Sequence, residues 1–152
     1  MLMHKMIQSC ELPQSSLLWK NVQPGDFIDC YTIPAIIGPR NAAEIITDFP
    51  IWARALVKLR GVITAPFGLL VDGPDDPNKV GPFPVEIETE EELVAGFNDK
   101  HLNFRVSVIS KEGNISLATW VHVHNWGGRL YLFCILPFHV LIAKNALRRV
   151  AM

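Results

Sequence analysis

Two histidines near the end of a predicted strand, His122 and His124, are the residues whose type and spacing most suggest chemistry. Side chains two positions apart share one face of a strand and lie about 7 Å apart. Imidazoles so placed could share Zn²⁺, Fe²⁺ or Cu²⁺, with His101 or His139 as a distant third ligand. No nearby acidic residue completes a familiar metal motif, so we expect these histidines to hydrogen-bond to neighbours on a half-exposed face. The sequence predicts no metal and no cofactor.

A hairpin is predicted directly after these histidines. Asn125-Trp126-Gly127-Gly128 reads as a turn, and Arg129–Leu136 as the returning strand. The hairpin would place polar groups where hydrophobic alternation does not require them, so this edge of the sheet is the first candidate for a functional site.

Arg129 and Tyr131 begin that returning strand. The planar donor fork of Arg129 could hold the carboxylate of a ligand. Alternatively, the guanidinium could form an internal ion pair with Asp99 or Asp26 while Asn125 organises the turn. The second, structural role is favoured, because turn residues have ready local explanations.

A histidine and an aspartate also lie near the turn before the next strand, at Asp99 and His101, with Arg105 just beyond. Such a pair can act as general base and orienting group near neutral pH. No serine or cysteine beside them resembles an activated nucleophile and GxSxG is absent, so acyl-enzyme chemistry is not expected. An enzyme of cyclase, hydrolase or isomerase type, using His101 or His124 as acid or base, remains an alternative; no catalytic residue is assigned.

Acidic and aromatic residues complete the candidates. The acidic run and Asp75-Asp76 lack the alternation and glycine of an EF-hand loop, so they predict a solvated face. The run contains Glu86, Glu88, Glu90, Glu91 and Glu92. Aromatic side chains could line a cavity or simply form the core. They are Trp52, Phe97, Phe104, Trp120, Phe133 and Phe138. The predicted ligand-binding set is Trp52, Phe97, Phe104, His124, Arg129, Tyr131 and Phe138.

Composition restricts the class of protein. A chain of 152 residues suits one domain, and a net charge of −1 argues against nucleic-acid binding. The three cysteines are widely spaced and odd in number, which predicts reduced thiols in a cytoplasmic protein. The start of the chain does not resemble a signal peptide. The longest apolar run, Leu130–Ala143, is shorter than the roughly 20 residues of a membrane span, so no stable membrane insertion is expected.

The helices and strands that must position these residues are predicted from the hydrophobic periodicity and from the glycines, prolines and capping residues that mark the ends of elements. An N-terminal arm (1–24) precedes a single domain (25–152). A strand over Asp26–Ile33 is followed by a helix capped by Asn41 and a second helix from Asp48-Phe49-Pro50 to Gly61. The second helix has a predicted apolar stripe of Trp52, Ala55, Leu56 and Leu59.

A proline-rich loop is predicted at Asp72–Pro84. After it the apolar residues recur at every second position, which indicates strands. The further predicted strands are Val85–Glu88, Glu92–Asn98, Asn103–Ser110, Ile115–His124 and Arg129–Leu136. A helix from Pro137 to Val150 ends the chain. The order predicts an α+β fold in which a curved antiparallel sheet wraps around the C-terminal helix and two short helices follow the first strand.

Four stretches carry a family resemblance. They are Phe49-Pro50-Ile51-Trp52 with Leu59-Arg60, Asp99 to Arg105, His124-Asn125 with Gly128 to Tyr131, and Pro137-Phe138-His139. With them the chain resembles the bacterial domain-of-unknown-function family 2867, which is similar to START-like, polyketide cyclase-like helix-grip proteins. The resemblance implies a helix-grip fold and a small apolar-ligand pocket, and it brings no known reaction.

The leading functional prediction is therefore a module that binds a small apolar or amphipathic molecule between the sheet and the C-terminal helix. Apolar walls would supply roughly 25 cal/mol per Å² of buried surface, and Arg129, Tyr131 and His124 would fix a polar end. The alternatives are the acid–base enzyme and a ligand-free structural domain, possibly a homodimer through the edge strand or through the Trp120, His122 and His124 face.

Overall fold

A computed structural model describes residues 6–64 and 76–151 as one antiparallel sheet with three α-helices. The strands are β1 (Gln8–Ser9), β2 (Phe27–Pro34), β3 (Lys79–Val80), β4 (Phe83–Glu88), β5 (Glu92–Asn98), β6 (Leu102–Lys111) and β7 (Asn114–Val123). The helices are α1 (Pro39–Thr47), α2 (Ile51–Thr64) and α3 (Trp126–Val150), and a 3₁₀ turn spans Leu17–Lys20. The curved sheet has the order β1-β2-β7-β6-β5-β4-β3. This is the predicted α+β, helix-grip arrangement.

One face of the sheet packs against α1 and the carboxyl-terminal half of α3. Ile33, Ile115 and Leu117 of the sheet share a buried cluster with Ala146 and Leu147 of α3. The guanidinium of Arg149 donates to the carbonyl oxygens of Ile45, Ile46 and Asp48 at the end of α1. Because the last carbonyls of a helix lack their full set of donors within the helix, the arginine supplies donors to them and fixes α1 against α3.

The opposite face is covered by the chain before β2. Leu12 and Leu18 lie in a second buried cluster with Val94, Ala118 and Trp120. Strands β5 and β7 are therefore enclosed on both sides, which explains why β5 reads as a continuous buried run rather than as an alternation.

Glu92, predicted to lie on a solvated acidic face, is instead buried at the start of β5 with 5% exposure. Its carboxylate accepts hydrogen bonds from Ser16 Oγ at 2.8 Å, from the Leu17 backbone N–H at 2.9 Å and from Ser107 Oγ. A buried carboxylate is tolerated when several donors replace its water. The prediction was wrong for Glu92 because nothing in the acidic run distinguishes this residue, whose side chain lies under the N-terminal arm, from its exposed neighbours.

Both short helices are found, with shifted boundaries. Helix α1 begins at Pro39 rather than after Asn41, and Pro39 suits the first turn because it needs no amide donor there. Helix α2 continues past Gly61 to Thr64. Its predicted apolar stripe is wrong in part: Ala53 is buried, whereas Trp52 and Leu59 are exposed.

The predicted loop at Asp72–Pro84 is partly wrong. Residues 72–75 lie outside the described residues, but β3 and β4 form a hairpin from Lys79 onward. Gly81 takes a positive φ of 55° in the connecting turn, a backbone conformation that glycine adopts without penalty. The described prolines of this segment, Pro77, Pro82 and Pro84, therefore flank or belong to a short hairpin near the edge of the sheet, where prolines are tolerated.

The largest correction concerns the end of the chain. The predicted turn at Asn125–Gly128, the strand Arg129–Leu136 and the helix from Pro137 are all replaced by one 25-residue helix, α3. Asn125 is its N-cap, and the Asn125 side chain accepts a hydrogen bond from Gly128 N. Pro137 lies inside the helix, where it removes one backbone hydrogen bond without ending the element.

Candidate functional site

The end of β7, the turn before β6 and the start of α3 meet at one corner of the molecule. The backbone N–H of His124 donates to the carbonyl of His101 at 2.9 Å. Gly128 approaches the same carbonyl so closely that a Cβ on this residue would lie 2.3 Å from the oxygen. The Asn125 cap and the absence of a side chain at Gly128 therefore set where α3 leaves the sheet.

An open groove of about 710 Å³ lies at this corner. Its lining residues are Val123, His124, Asn125, Trp126, Arg129, Leu130 and Phe133. Trp126, Leu130 and Phe133 follow the i, i+4, i+7 spacing that places side chains on one face of a helix. The groove thus has an apolar wall along α3 and a polar end at the junction with β7.

The polar end favours an anion. The guanidinium of Arg129 is exposed and makes no hydrogen bond or ion pair with another described residue. No acidic residue lies in the first turn of α3, and the helix amino terminus adds a partial positive charge. His124 Nε2 lies 2.8 Å from Asn103 Oδ1, which holds the imidazole at the rim.

The alternative structural role of Arg129 required Asp26 or Asp99 as a partner, and Asp26 is engaged elsewhere. The Asp26 carboxylate instead contacts His122 Nδ1 at 2.6 Å and accepts hydrogen bonds from Trp120 Nε1 and Gln23 N. His122 therefore has a carboxylate that orients its ring, as a general base requires. Sequence reasoning did not connect Asp26 with His122, because 96 residues separate them.

Burial acts to raise the pKa of Asp26, but the hydrogen bonds from His122, Gln23 and Trp120 outweigh it, so the pKa lies below the ordinary 3.8. A carboxyl group whose pKa is lowered by folding stabilises the protein above its unfolded pKa and loses that contribution as pH falls through the folded pKa. Asp26→Asn should therefore cost roughly 1–2 kcal/mol near pH 7, and the difference from wild type should narrow below about pH 4. Urea denaturation across pH measures both.

Asp48→Asn is the matched control, because the Asp48 carboxylate forms an exposed ion pair with Arg54. We expect its free energy of unfolding to follow wild type at every pH. If the free energy of unfolding of Asp26→Asn is lower than that of wild type by the same amount from pH 7 to pH 3, the role given to the Asp26 charge is contradicted.

The remaining predicted site residues do not line the groove. The rings of Phe97 and Phe104 pack edge to face with centroids 4.7 Å apart, as cross-strand neighbours on β5 and β6. Trp52 lies on α2, and Tyr131 and Phe138 lie on other faces of α3. The structure thus brings His124 and Arg129 together and adds Trp126 and Leu130, which a helical reading of the same segment would have found.

The histidines are held by neighbours rather than grouped as metal ligands. The rings of His122 and His124 lie 5.5 Å apart, while His139 contacts Asp29 at 3.0 Å. Within residues 6–64 and 76–151, no three histidine, cysteine or acidic side chains cluster as metal ligands would. Arg105 pairs with Glu86 at 2.6 Å, and His101 Nδ1 lies beside the Asn125 amide.

Helix α3 is also long and apolar enough to cross a membrane. Its mean hydropathy reaches 1.7, and only 17% of the most apolar 18-residue window is buried. One such helix is by itself weak evidence for a membrane span. The molecule otherwise has the build of a soluble domain, with a core on each face of its sheet.

The fold and the corner groove define an α+β domain in which an antiparallel sheet holds a C-terminal helix. The model of the family described as protein of unknown function (DUF2867) matches residues 22–146, and the chain belongs to this family. No curated protein and no solved structure shows significant similarity to the chain.

Proposed function

We propose that this domain binds a small amphipathic anion in the groove between the end of β7 and the first turns of α3. The proposal rests on one observation: Arg129, whose guanidinium has no partner among the described residues, lies beside an apolar wall of Trp126, Leu130 and Phe133. The volume of about 710 Å³ suits a molecule of fatty-acid size. In this proposal the ligand lies at the amino-terminal end of α3, because the carboxyl-terminal half of the helix packs in the core.

The two parts of the groove would recognise the two parts of the ligand. Arg129 would form a two-pronged contact with a carboxylate, supported by the amino terminus of α3. The alkyl chain would lie along Leu130 and Phe133, which are 52% and 78% exposed. Covering this apolar surface supplies roughly 25 cal/mol per Å².

The test compares dodecanoate with the uncharged dodecanol, using intrinsic tryptophan fluorescence and thermal unfolding. We expect dodecanoate to bind wild-type protein more tightly than dodecanol. Arg129→Gln should weaken the binding of dodecanoate roughly tenfold, because one charge-assisted contact is lost. It should leave the binding of dodecanol unchanged.

Arg148→Gln provides the matched control, because Arg148 is an exposed arginine at the opposite end of the same helix. It should bind both compounds as wild type does. Absence of any response to dodecanoate, or equal losses in the two arginine variants, would overturn the proposal.

A further inference from the structure

The outward face of α3 carries a stripe of exposed apolar side chains that extends well beyond the groove. The α3 stripe consists of Trp126, Leu130, Phe133, Cys134, Pro137 and Leu141. Trp126 and Phe133 are 75% and 78% exposed, and Leu141 is 54% exposed. Lone exposed apolar residues are common on protein surfaces, but a continuous row of six along one helix is not.

The size of the α3 stripe approaches that of an interface. At roughly 150–250 Å² per aromatic side chain, Trp126 and Phe133 together leave on the order of 300 Å² in water. With the rest of the stripe, the total is on the order of 600 Å². That is the upper limit for the largest patch on a typical monomer, and most of the roughly 800 Å² that each partner contributes to a stable complex.

The spacing within the α3 stripe is the same in both directions along the helix. From Trp126 to Leu141 the intervals between its members are four, three, one, three and four residues, read directly from their numbers. A two-fold axis places residue i of one helix opposite residue j of its partner and the reverse. A stripe with symmetric spacing therefore brings apolar side chains together along its whole length in an antiparallel pair of identical helices. A centre between Phe133 and Cys134 sets Trp126 opposite Leu141, and Leu130 opposite Pro137.

We infer that the α3 stripe is the contact surface for a second copy of this chain, with the two α3 helices antiparallel and crossing at Phe133 and Cys134. Three stripe residues, Trp126, Leu130 and Phe133, also line the groove. The partner's helix therefore covers the open side of the groove with its carboxyl-terminal half. This closing of the groove rests on the proposed function, whereas the pairing of the helices does not.

A bilayer is the other apolar environment that α3 could enter. Full insertion would require Ala146 and Leu147, which are 1% and 0% exposed, to leave the core. It would also draw the charged Lys144 and Arg148, which lie next to Ala146 and Leu147 on the same helix, toward the hydrocarbon. A partner helix makes neither demand, so the observations favour a second copy.

The test begins with the mass of the full chain in solution, measured by light scattering during gel filtration at micromolar concentration. We expect a dimer. Leu141→Glu should weaken dimerisation roughly hundredfold or more, because each of the two symmetric contacts receives a buried charge. Ile36→Glu is the matched control: Ile36 is 95% exposed outside α3, and its substitution should leave the dimer intact.

The native thiols report the geometry without any substitution. Cys134 is exposed at the crossing point, whereas Cys30 is buried and Cys10 is half-buried against it. A short bis-maleimide should therefore join Cys134 of one copy to Cys134 of the other in wild-type protein and fail to do so in Leu141→Glu. The linkage is located by mass spectrometry after proteolysis.

Each outcome separates the inference from the proposed function. A wild-type monomer at 100-fold higher concentration, roughly 0.1 mM, or a dimer linked elsewhere than at Cys134, would overturn the helix pairing. A monomer that floats with phosphatidylglycerol vesicles, and loses this in Leu141→Glu, would overturn it in favour of a membrane surface. A Cys134-linked dimer that ignores dodecanoate would support the pairing and overturn the proposed function.

Discussion

Replacing Gly128 by alanine is expected to destabilise the protein by roughly 3 kcal/mol or more, which is among the larger effects of single substitutions. The added Cβ would lie 2.3 Å from the carbonyl oxygen of His101 and 3.1 Å from its carbon. Both are backbone atoms, and this carbonyl also accepts the N–H of His124. The start of α3 must therefore move away from β6 and β7.

Gly127→Ala is the control, because it adds the same methyl group one residue earlier. Its nearest neighbour is the Asn125 side-chain oxygen at 3.3 Å, which needs to shift only slightly. The better helix propensity of alanine, roughly 1 kcal/mol, offsets that shift. Urea denaturation of both variants provides the comparison, and equal stabilities would show that α3 does not press against the turn as described.

The second large effect concerns the buried carboxylate of Glu92. Glu92→Ala should lower the free energy of unfolding by roughly 2–4 kcal/mol, because Ser16, Leu17 and Ser107 lose their common acceptor. Glu92→Gln should cost only about 1 kcal/mol, since one amide oxygen can still accept from Leu17 while the hydroxyls reorient. Thermal and urea unfolding measure this order.

Limited proteolysis shows where the structure opens. The arm before β2 should become sensitive in Glu92→Ala, because two of the three lost contacts lie in the arm. Glu90→Ala changes a neighbouring exposed glutamate and should match wild type in both measurements. A stable Glu92→Ala with a protected arm would mean that apolar burial alone holds the arm in place.

Local sequence signals were sufficient for the central sheet. Strand β5 is found with its predicted bounds, Glu92–Asn98, and β6 and β7 differ from prediction by one residue at each end. These strands alternate and are separated by polar turns such as Lys111–Asn114. In that turn Gly113 takes a positive φ of 77°. The alternation of apolar residues and the residues of the turns indicate the same strand boundaries here, so no tertiary information was needed.

The same signals failed for α3. Two adjacent glycines after an asparagine suggest a hairpin, and Pro137 suggests a helix start. In the structure the glycines allow close packing on His101, and the proline is accommodated inside the helix. The continuous apolar run from Leu130 to Ala143 fits either element by composition. Contacts with β2, β7 and α1 decide between them, and these lie far away in the sequence.

The candidate site was predicted in part for the same reason. Arg129 and His124 were selected by residue type, and both line the groove. The apolar wall was missed because Trp126 and Leu130 share a face only if the segment is helical. The contact between Asp26 and His122 depends on the pairing of β2 with β7, which no local pattern reveals.

The outermost strands of the sheet, β1 and β3, are only two residues long each. So short a border gives a neighbouring chain too few unpaired amides and carbonyls to extend the ladder. The short edge strands therefore disfavour fibril-like growth, in which strands of further copies would add to the sheet. Short edge strands therefore favour contacts between copies through side chains, and such contacts discriminate more strongly among partners.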